Sequence, residues 1–260
     1  MAGIDIANLK LGKKPARFDS RTLRLSKYLA DVPSPPEECD WTSDITQFGA
    51  MLNNDLGDCT IAAMGHAIQC WTAVTGNECT VPDPAILQAY EQWTGYDPAD
   101  PSTDQGAVEL DVLKKWRQRG LGYPGVIHGL HAFAAINPAN DQHVKQAITL
   151  FGGVYIGVEL PVTAQGQVGG LWDVAGDPNS DPDSMPGSWG GHAMWFPRYQ
   201  AGRKTGITWG ALQDVSDAFW NTYVSEVYGL IPSGNDWVLP GGDTIMGFSL
   251  AKLDADLQAL

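Results

Sequence analysis

Apolar and polar residues follow one another in blocks along the chain, and the blocks predict helices in the first half and strands in the second. From Thr60 to Val74 nearly every residue is apolar or small, which is typical of a helix buried on all sides. Helical spacing and end signals predict three further helices: 83–93 with Asp83 as N-cap, 108–119 before Gly120, and 140–151 with Asn140 or Asp141 as cap.

The second half of the chain changes character at Val154, where a β-rich run begins that ends at Pro161. Strands are also predicted in "GGHAMWFPRY" and "GITWGALQ", and "SDAFWNTYVSEVYGLI" passes from a helix into a strand. Helices followed by strands predict an α+β protein with a helical lobe and a sheet lobe. The predicted division is an N-terminal extension 1–32, a main domain 33–240 with a helical lobe at about 50–135 and a sheet lobe at about 140–235, and a C-terminal helix 241–260.

Charge is distributed unevenly along the chain. The formal net charge of -14 argues against nucleic acid or an anionic membrane as a partner of the main body. The first thirty residues are basic, through Lys10, Lys13, Lys14, Arg17, Arg21, Arg24 and Lys27. We interpret the extension as held on its own acidic body by electrostatic attraction; the alternative is a docking segment for another protein. Because no signal-peptide pattern and no membrane-spanning apolar run is present, we expect a cytoplasmic or phage-associated protein.

Cys59 stands at the start of the apolar helix, directly after a polar loop that contains Gly57. Amide groups and the dipole at a helix N-terminus favour the thiolate form of a cysteine. The other three cysteines lack such a setting and are interpreted as structural thiols. Neither a CxxC pair nor a metal-ligand spacing occurs, so we expect no metal and no cofactor. Side chains with oxygen atoms occupy alternate positions at Asp177, Asn179, Asp181 and Asp183, a spacing that resembles a calcium-binding loop. The prolines in this segment favour instead a mobile loop at the rim of a cleft.

A nucleophilic cysteine needs a base, and His192 in "GSWGGHAMWF" is the best candidate among the five histidines. The two glycines before it leave room for a substrate chain. His66 lies about two helical turns beyond Cys59, too far for its ring to reach the sulfur, and is interpreted as a core histidine. Asn53 and Asn54 carry side-chain amides that could donate to an oxyanion.

These residues resemble the papain-like cysteine peptidase superfamily over about residues 33–231. The matching motifs, in the family's order, are Pro36, Asp40-Trp41, Asn53, Gly57-Asp58-Cys59, "DQGAVELDVLKKWRQRGLG", "VKQAITLFGGVYIGVEL", "GGHAMWF" and "ITWG". The resemblance implies a papain-like α+β fold, with the active-site cleft between a helical lobe and an antiparallel β-sheet lobe.

The same resemblance implies roles for individual residues. Cys59 and His192 would form the catalytic pair, and Asn53 would line the oxyanion hole. The substrate would bind along four residues of the cleft, Gly57, Gly106, Gly191 and Trp209. The extension 1–32 stands where such enzymes carry an inhibitory prosegment, so we predict that it packs on the acidic body and covers part of the cleft.

The chain departs from the family at the residue that orients the histidine. Alignment on Trp209-Gly210 puts Ile207 where the family has an asparagine, and isoleucine accepts no hydrogen bond. Thr208, Gln213 or Asp214 could orient the ring instead, and we favour Thr208.

The expected function is that of a cysteine-dependent hydrolase, a peptidase or amidase that forms an acyl-enzyme with a peptide or another amide-containing substrate. If an amine replaced water as acceptor, the same thiol would serve a transamidase or ligase. The alternative from another class is a non-catalytic papain-like structural or binding module, which the missing asparagine favours.

Overall fold

The computed structural model describes residues 9–30, 32–123, 125–234, 237 and 244–258. Its helices are α1 (Cys59–Val74), α2 (Asp83–Thr94), α3 (Glu109–Arg119), α4 (Asp141–Phe151), α5 (Asp217–Tyr223) and α6 (Ala251–Gln258). Its strands are β1 (Leu23–Arg24), β2 (Cys39–Asp40), β3 (Leu121–Tyr123), β4 (Val126–His128), β5 (Leu130–Ala135), β6 (Val154–Leu160), β7 (Leu171–Trp172), β8 (Gly190–Gln200), β9 (Arg203–Thr208), β10 (Ala211–Ser216) and β11 (Val224–Pro232). The predicted α+β class is confirmed. Within these described ranges, no helix has the length and apolar character needed to cross a membrane.

Helix ends follow from local signals in the sequence. The Asn140 side chain accepts a hydrogen bond from the His143 amide at 3.1 Å and so caps α4, as predicted. Gly152 takes a left-handed conformation and ends the same helix. One prediction was wrong: the residue that precedes α2 is Pro82, so Asp83 is the first helical residue rather than the cap.

Nine strands of the described part form one sheet, in the order β1-β5-β11-β6-β8-β9-β10-β7, with β2 paired to β8. Neighbouring strands run antiparallel except at the two ends, where β1 lies parallel to β5 and β7 lies parallel to β10. The strands β3 and β4 form a separate hairpin.

Helix α1 packs on one face of the central strands, and residue alternation along β8 separates two cores. Ala193 and Trp195 belong to the core around α1, whereas Met194 and Phe196 belong to the core on the opposite face. The Tyr155 hydroxyl of β6 donates to the carbonyl of Thr60 at 2.9 Å, at the start of α1. The sheet therefore fixes the N-terminus of the buried helix.

The boundaries of the predicted lobes need correction. Residues 130–135, assigned to the helical lobe, form β5 inside the main sheet, and the extension 1–32 contributes β1 to the same sheet. The C-terminal helix is shorter than 241–260: the described part is α6, residues 251–258, and residues 244–250 are not helical. Residues 1–8, 31, 124, 235–236, 238–243 and 259–260 lie outside the described part of the chain.

Candidate active site

Cys59 is the first residue of α1, and no part of it is exposed to solvent. The loop before it is held by Asp104, whose two carboxylate oxygens each lie 3.1 Å from the Gly57 amide. The Tyr90 hydroxyl donates to the same carboxylate at 2.6 Å. These bonds fix the entry of the chain into the helix, and with it the position of the sulfur.

Burial raises the pKa of the Cys59 thiol to about 12. Backbone hydrogen bonds at Ala193 and Gly12 act against this rise in pKa, while the carboxyls of Asp58 and Glu109 add to it. The thiolate expected from the helix N-terminus is therefore not the form favoured in this structure. Loss of hydration outweighs the helix dipole, because the sulfur is shielded from water.

The His192 ring is held on two sides. Its Nε2 lies 2.6 Å from the Thr208 hydroxyl, and its plane stacks on the Trp209 ring with centroids 4.5 Å apart and an angle of 21°. Its Nδ1 is buried and has no hydrogen-bond partner among the described residues. Burial lowers the pKa of His192 to about 3, and His66 adds to this effect, so the ring is neutral at pH 7.

Trp209 reaches its position through a tight turn between β9 and β10. Both turn residues have positive φ, 48° at Trp209 and 73° at Gly210, as in a type I′ hairpin turn. The left-handed conformation is unfavourable for a tryptophan, and it brings the ring onto His192. The indole Nε1 donates to the carbonyl of Lys10 at 3.2 Å.

The side chain of Asn53 is turned into its own loop. Its Nδ2 donates to the Leu56 carbonyl at 3.2 Å, and the side chain also lowers the pKa of Asp58, which burial otherwise raises. The predicted oxyanion donor is therefore engaged within the loop in this structure. Asn54, the alternative donor, lies exposed at the surface.

Of the other residues considered for orienting His192, Gln213 and Asp214 bond elsewhere. Gln213 joins the backbone of Gly169 and Gly170, and Asp214 accepts from Thr205 and Arg203. Thr208 is the candidate that lies at the ring.

The N-terminal extension lies along all four predicted substrate-binding residues. The Lys13 amide donates to the Gly191 carbonyl at 3.0 Å, and the Gly12 carbonyl accepts from the Ala107 amide at 2.8 Å, next to Gly106. A Cβ built on Gly106 would come within 1.9 Å of the Gly12 oxygen, and one built on Gly12 within 1.7 Å of the Gly57 oxygen. Together with the bond from Trp209 to Lys10, these contacts show that residues 10–14 fill the groove beside Cys59. We call this segment the plug.

The plug presents an amide N–H to the sulfur of Cys59. The Gly12 amide is the group that hydrogen-bonds at Cys59, and the Gly12 carbonyl is turned to Ala107. In a trans peptide the C=O and N–H groups point to opposite sides, so the Leu11 oxygen faces away from the sulfur. The plug therefore covers the thiol.

The side chain of Lys13 fills an acidic pocket that the sequence analysis did not identify. Its Nζ lies 2.7 Å from an oxygen of Glu159 and 3.2 Å from an oxygen of Glu226, and it has no exposed surface. Glu109, completely buried, also faces this side chain. Burial lowers the pKa of Lys13, but the three carboxyls more than offset this, and the net change is a raised pKa. We call the site the Lys13 pocket.

Residues interpreted as structural occupy ordinary positions. Cys70 is buried, and His66 Nε2 lies 2.8 Å from the Gly49 carbonyl. In the acidic loop, Asp177 and Asp181 accept hydrogen bonds from loop amides two residues further on, at 2.9 and 3.2 Å. No group of three or more histidine, cysteine, aspartate or glutamate side chains in the described ranges is arranged to hold a metal ion.

Comparison with solved structures relates this geometry to known proteins. Xylellain, a cysteine protease from Xylella fastidiosa, superposes with a TM-score of 0.64 and 14% identity, over 86% of this chain and 96% of its own. The fold is papain-like. Procathepsin B from Trypanosoma congolense gives a TM-score of 0.58 with 12% identity, over 90% of both chains. Procathepsin L 3 of Tenebrio molitor larval midgut gives 0.57 with 11% identity, over 86% of this chain and 77% of its own.

The similarity lies in the structure rather than in the sequence. No protein-family model and no curated protein sequence matches the chain. In the papain-like fold the cleft lies between the helical lobe and the sheet lobe, which is where the plug runs past Cys59. The predicted fold is thereby confirmed.

Proposed function

We propose that this protein is a cysteine-dependent peptidase or amidase whose cleft is closed in this structure by its own N-terminal extension. Cys59 is the nucleophile and His192 its general base. The observation that carries the proposal is the setting of His192. Thr208 and Trp209 fix its ring, and Nδ1 is left without a hydrogen-bond partner in the described structure. The next residue, Ala193, hydrogen-bonds at the sulfur.

When the plug leaves the cleft, the pKa of the Cys59 thiol falls. Water enters the cleft, so the burial that raises the pKa of Cys59 is relieved. The helix N-terminus then favours the thiolate, and a protonated His192 favours it further. The proton that leaves the sulfur passes to Nδ1, the unpartnered ring nitrogen.

The reaction then proceeds in two balanced steps. The thiolate attacks the amide carbonyl and forms the S–C bond; the C–N bond breaks, and the amine leaves with the proton from His192. Water attacks the thioester, His192 accepts its proton, and the acid and the thiol are released. The backbone amide of Cys59 is the proposed oxyanion donor, and Asn53 joins it once Nδ2 leaves the Leu56 carbonyl. An amine acceptor in place of water would give transamidation at the same site.

The plug makes this a latent enzyme. It contacts the cleft residues along which a substrate would lie, and its Gly12 amide hydrogen-bonds to the sulfur of Cys59. Two of the structurally similar proteins, procathepsin B and procathepsin L 3, are precursor forms by name. This agrees with an inhibitory role for the extension.

The proposal is tested by opening the cleft with one added methyl group. In Gly12→Ala the new Cβ cannot fit against the Gly57 carbonyl, so the plug should leave the groove. Gly166→Ala is the matched control, because nothing lies within 4 Å of its added Cβ. We expect Gly12→Ala to hydrolyse fluorogenic peptidyl amides, Gly12→Ala/Cys59→Ala to be inactive, and Gly166→Ala to be as slow as the wild type.

One outcome would overturn the proposal in favour of the binding module. If Cys59 in Gly12→Ala is freely alkylated by iodoacetamide, yet no amide in a broad peptide library is hydrolysed or transferred to an amine, the open cleft binds without catalysing.

A further inference from the structure

We propose that the Lys13 pocket is the subsite in which the active protein binds a lysine or arginine side chain of its substrate. The inference rests on the proposed function and gives it a substrate class. It is built on the contacts that Lys13 makes in the closed form.

The pocket lies beside the nucleophile. Its floor is Gly157 of β6, which pairs with Ala193, and the Ala193 amide hydrogen-bonds at the sulfur of Cys59. Glu159 follows two residues along the same strand and therefore faces the same side, and Glu226 pairs with Gly157 from β11. The Gly12 amide hydrogen-bonds to the sulfur, and the side chain of the next residue, Lys13, lies in the pocket.

The absence of a side chain at Gly157 makes room for a long aliphatic stem. A Cβ built there would come within 2.1 Å of Lys13 Cε and within 2.9 Å of Glu109 Oε1. Both atoms therefore lie directly over Gly157. The pocket is shaped for an extended, unbranched side chain with its charge at the far end.

The pocket holds more acceptors than Lys13 satisfies. Lys13 Nζ contacts an oxygen of Glu159 at 2.7 Å, an oxygen of Glu226 at 3.2 Å and the Lys14 carbonyl at 3.4 Å. Both oxygens of Glu109 are buried and have no hydrogen-bond partner among the described residues. Unpartnered buried carboxyls are unfavourable, and a guanidinium would bring five N–H donors to them where the ammonium of a lysine brings three.

The walls of the pocket belong to the main body, whereas its occupant belongs to the plug. When the plug leaves, the three carboxyl groups remain and face the open cleft. A basic substrate side chain restores the ion pairs. An apolar one of equal length leaves these buried carboxyl groups without a cation, and an acidic one is repelled.

The test uses Gly12→Ala/Lys13→Ala, in which the plug is displaced and its lysine cannot compete. The substrates are peptidyl amides in which one position near the scissile bond is varied at a time, with lysine, arginine, norleucine or glutamate at that position. At one position we expect kcat/KM to be about 100-fold higher for lysine or arginine than for norleucine. Glu226→Gln or Glu159→Gln should reduce that ratio about tenfold, and the exposed Glu37→Gln should leave it unchanged. Circular dichroism confirms that each variant is folded.

A binding assay separates this inference from the proposed function. Fluorescence anisotropy measures the same peptides on the variant that also carries Cys59→Ala, where no chemistry occurs. If the peptides with lysine bind more tightly than those with norleucine, but the parent variant hydrolyses none of them, the subsite is supported and the proposed catalytic function is contradicted. If the peptides with lysine, arginine and norleucine are hydrolysed at equal rates at every position, the subsite proposal is wrong and the proposed catalytic function is retained.

Discussion

The Nε2 atom of His192 lies 2.6 Å from the hydroxyl oxygen of Thr208. The alternation of side chains along β9 explains why Thr208, and not Ile207, contacts the ring. Ile207 packs into the core around α1 with Trp195, while the next residue, Thr208, faces His192. The hydroxyl can accept the Nε2 proton and thus leave Nδ1 free to act as a base.

Removing the Thr208 hydroxyl should therefore impair catalysis without unfolding the protein. In the Gly12→Ala background we expect Thr208→Val to lower kcat about 10- to 100-fold and to leave KM nearly unchanged, because the ring loses its orienting partner. Thr208→Ser keeps the hydroxyl and should retain kcat within about threefold. Steady-state kinetics on a fluorogenic amide provides the measurement. Equal kcat values for the valine and serine variants would show that Thr208 does not orient the ring.

Opening the cleft should make the buried thiol reactive. In the wild type, burial under the plug keeps Cys59 protonated, and iodoacetamide at pH 7 should label it slowly. Gly12→Ala should be labelled at least about 100-fold faster, because water and reagent reach the sulfur and its pKa falls. Peptide mapping by mass spectrometry identifies the labelled cysteine, and Gly166→Ala should behave as the wild type. Slow labelling of Cys59 in Gly12→Ala would mean that residues other than the plug shield it.

Parts of the fold, and the position of Cys59 at the start of α1, were predictable because local patterns encode them. The apolar block of α1 and the Asn140 cap of α4 depend on neighbouring residues, and both are found. Strand β5 was missed because its sequence, "LHAFAA", is rich in alanine and lacks β-branched residues. Its strand conformation depends on pairing with β11, distant in the sequence.

The Lys13 pocket was not predictable for the same physical reason. Lys13 stands in a basic run that reads as a solvated surface, and its partners Glu159 and Glu226 lie far away in the sequence. Only the folded sheet brings these charges together. The resemblance to papain-like peptidases indicated a covered cleft but carried no information on which side chain fills it.

The buried ion pairs of Lys13 should hold the plug in place. Lys13→Met keeps the length of the side chain but leaves the carboxylates without a cation, which should weaken docking of the plug by about 3 kcal/mol. That corresponds to about a 100-fold larger detached population. Thermolysin should therefore cut the extension much faster in Lys13→Met than in Lys14→Met, whose side chain is exposed. Equal cleavage rates in the two variants would contradict a structural role for the pocket.

Two buried histidines should lower stability in mild acid. Burial lowers the pKa of His66 to about 4 and that of His192 to about 3. In the unfolded chain, the histidines have a pKa near 6.5. The stability present above that pH is therefore lost as the pH falls towards the pKa values of the folded state. The expected loss in the free energy of unfolding is about 2 kcal/mol per histidine between pH 7 and pH 5.

A difference measurement isolates this effect. Burial raises the pKa values of Asp58 and Glu109, which changes stability in the opposite direction over the same range. Urea unfolding of the wild type and of His66→Gln should each be followed at both pH values. The variant should lose about 2 kcal/mol less on acidification. Equal losses would show that His66 is not buried in its neutral form.

The pH dependence of Cys59 alkylation in the opened protein tests the central claim most directly. In Gly12→Ala, a thiolate paired with a protonated His192 should react with iodoacetamide at a rate that stays high down to about pH 5. In Gly12→Ala/His192→Ala the rate should fall below an apparent pKa near 8.5, the value of an ordinary thiol. Identical pH profiles in the two variants would show that His192 does not activate Cys59, and the proposed catalytic pair would be wrong.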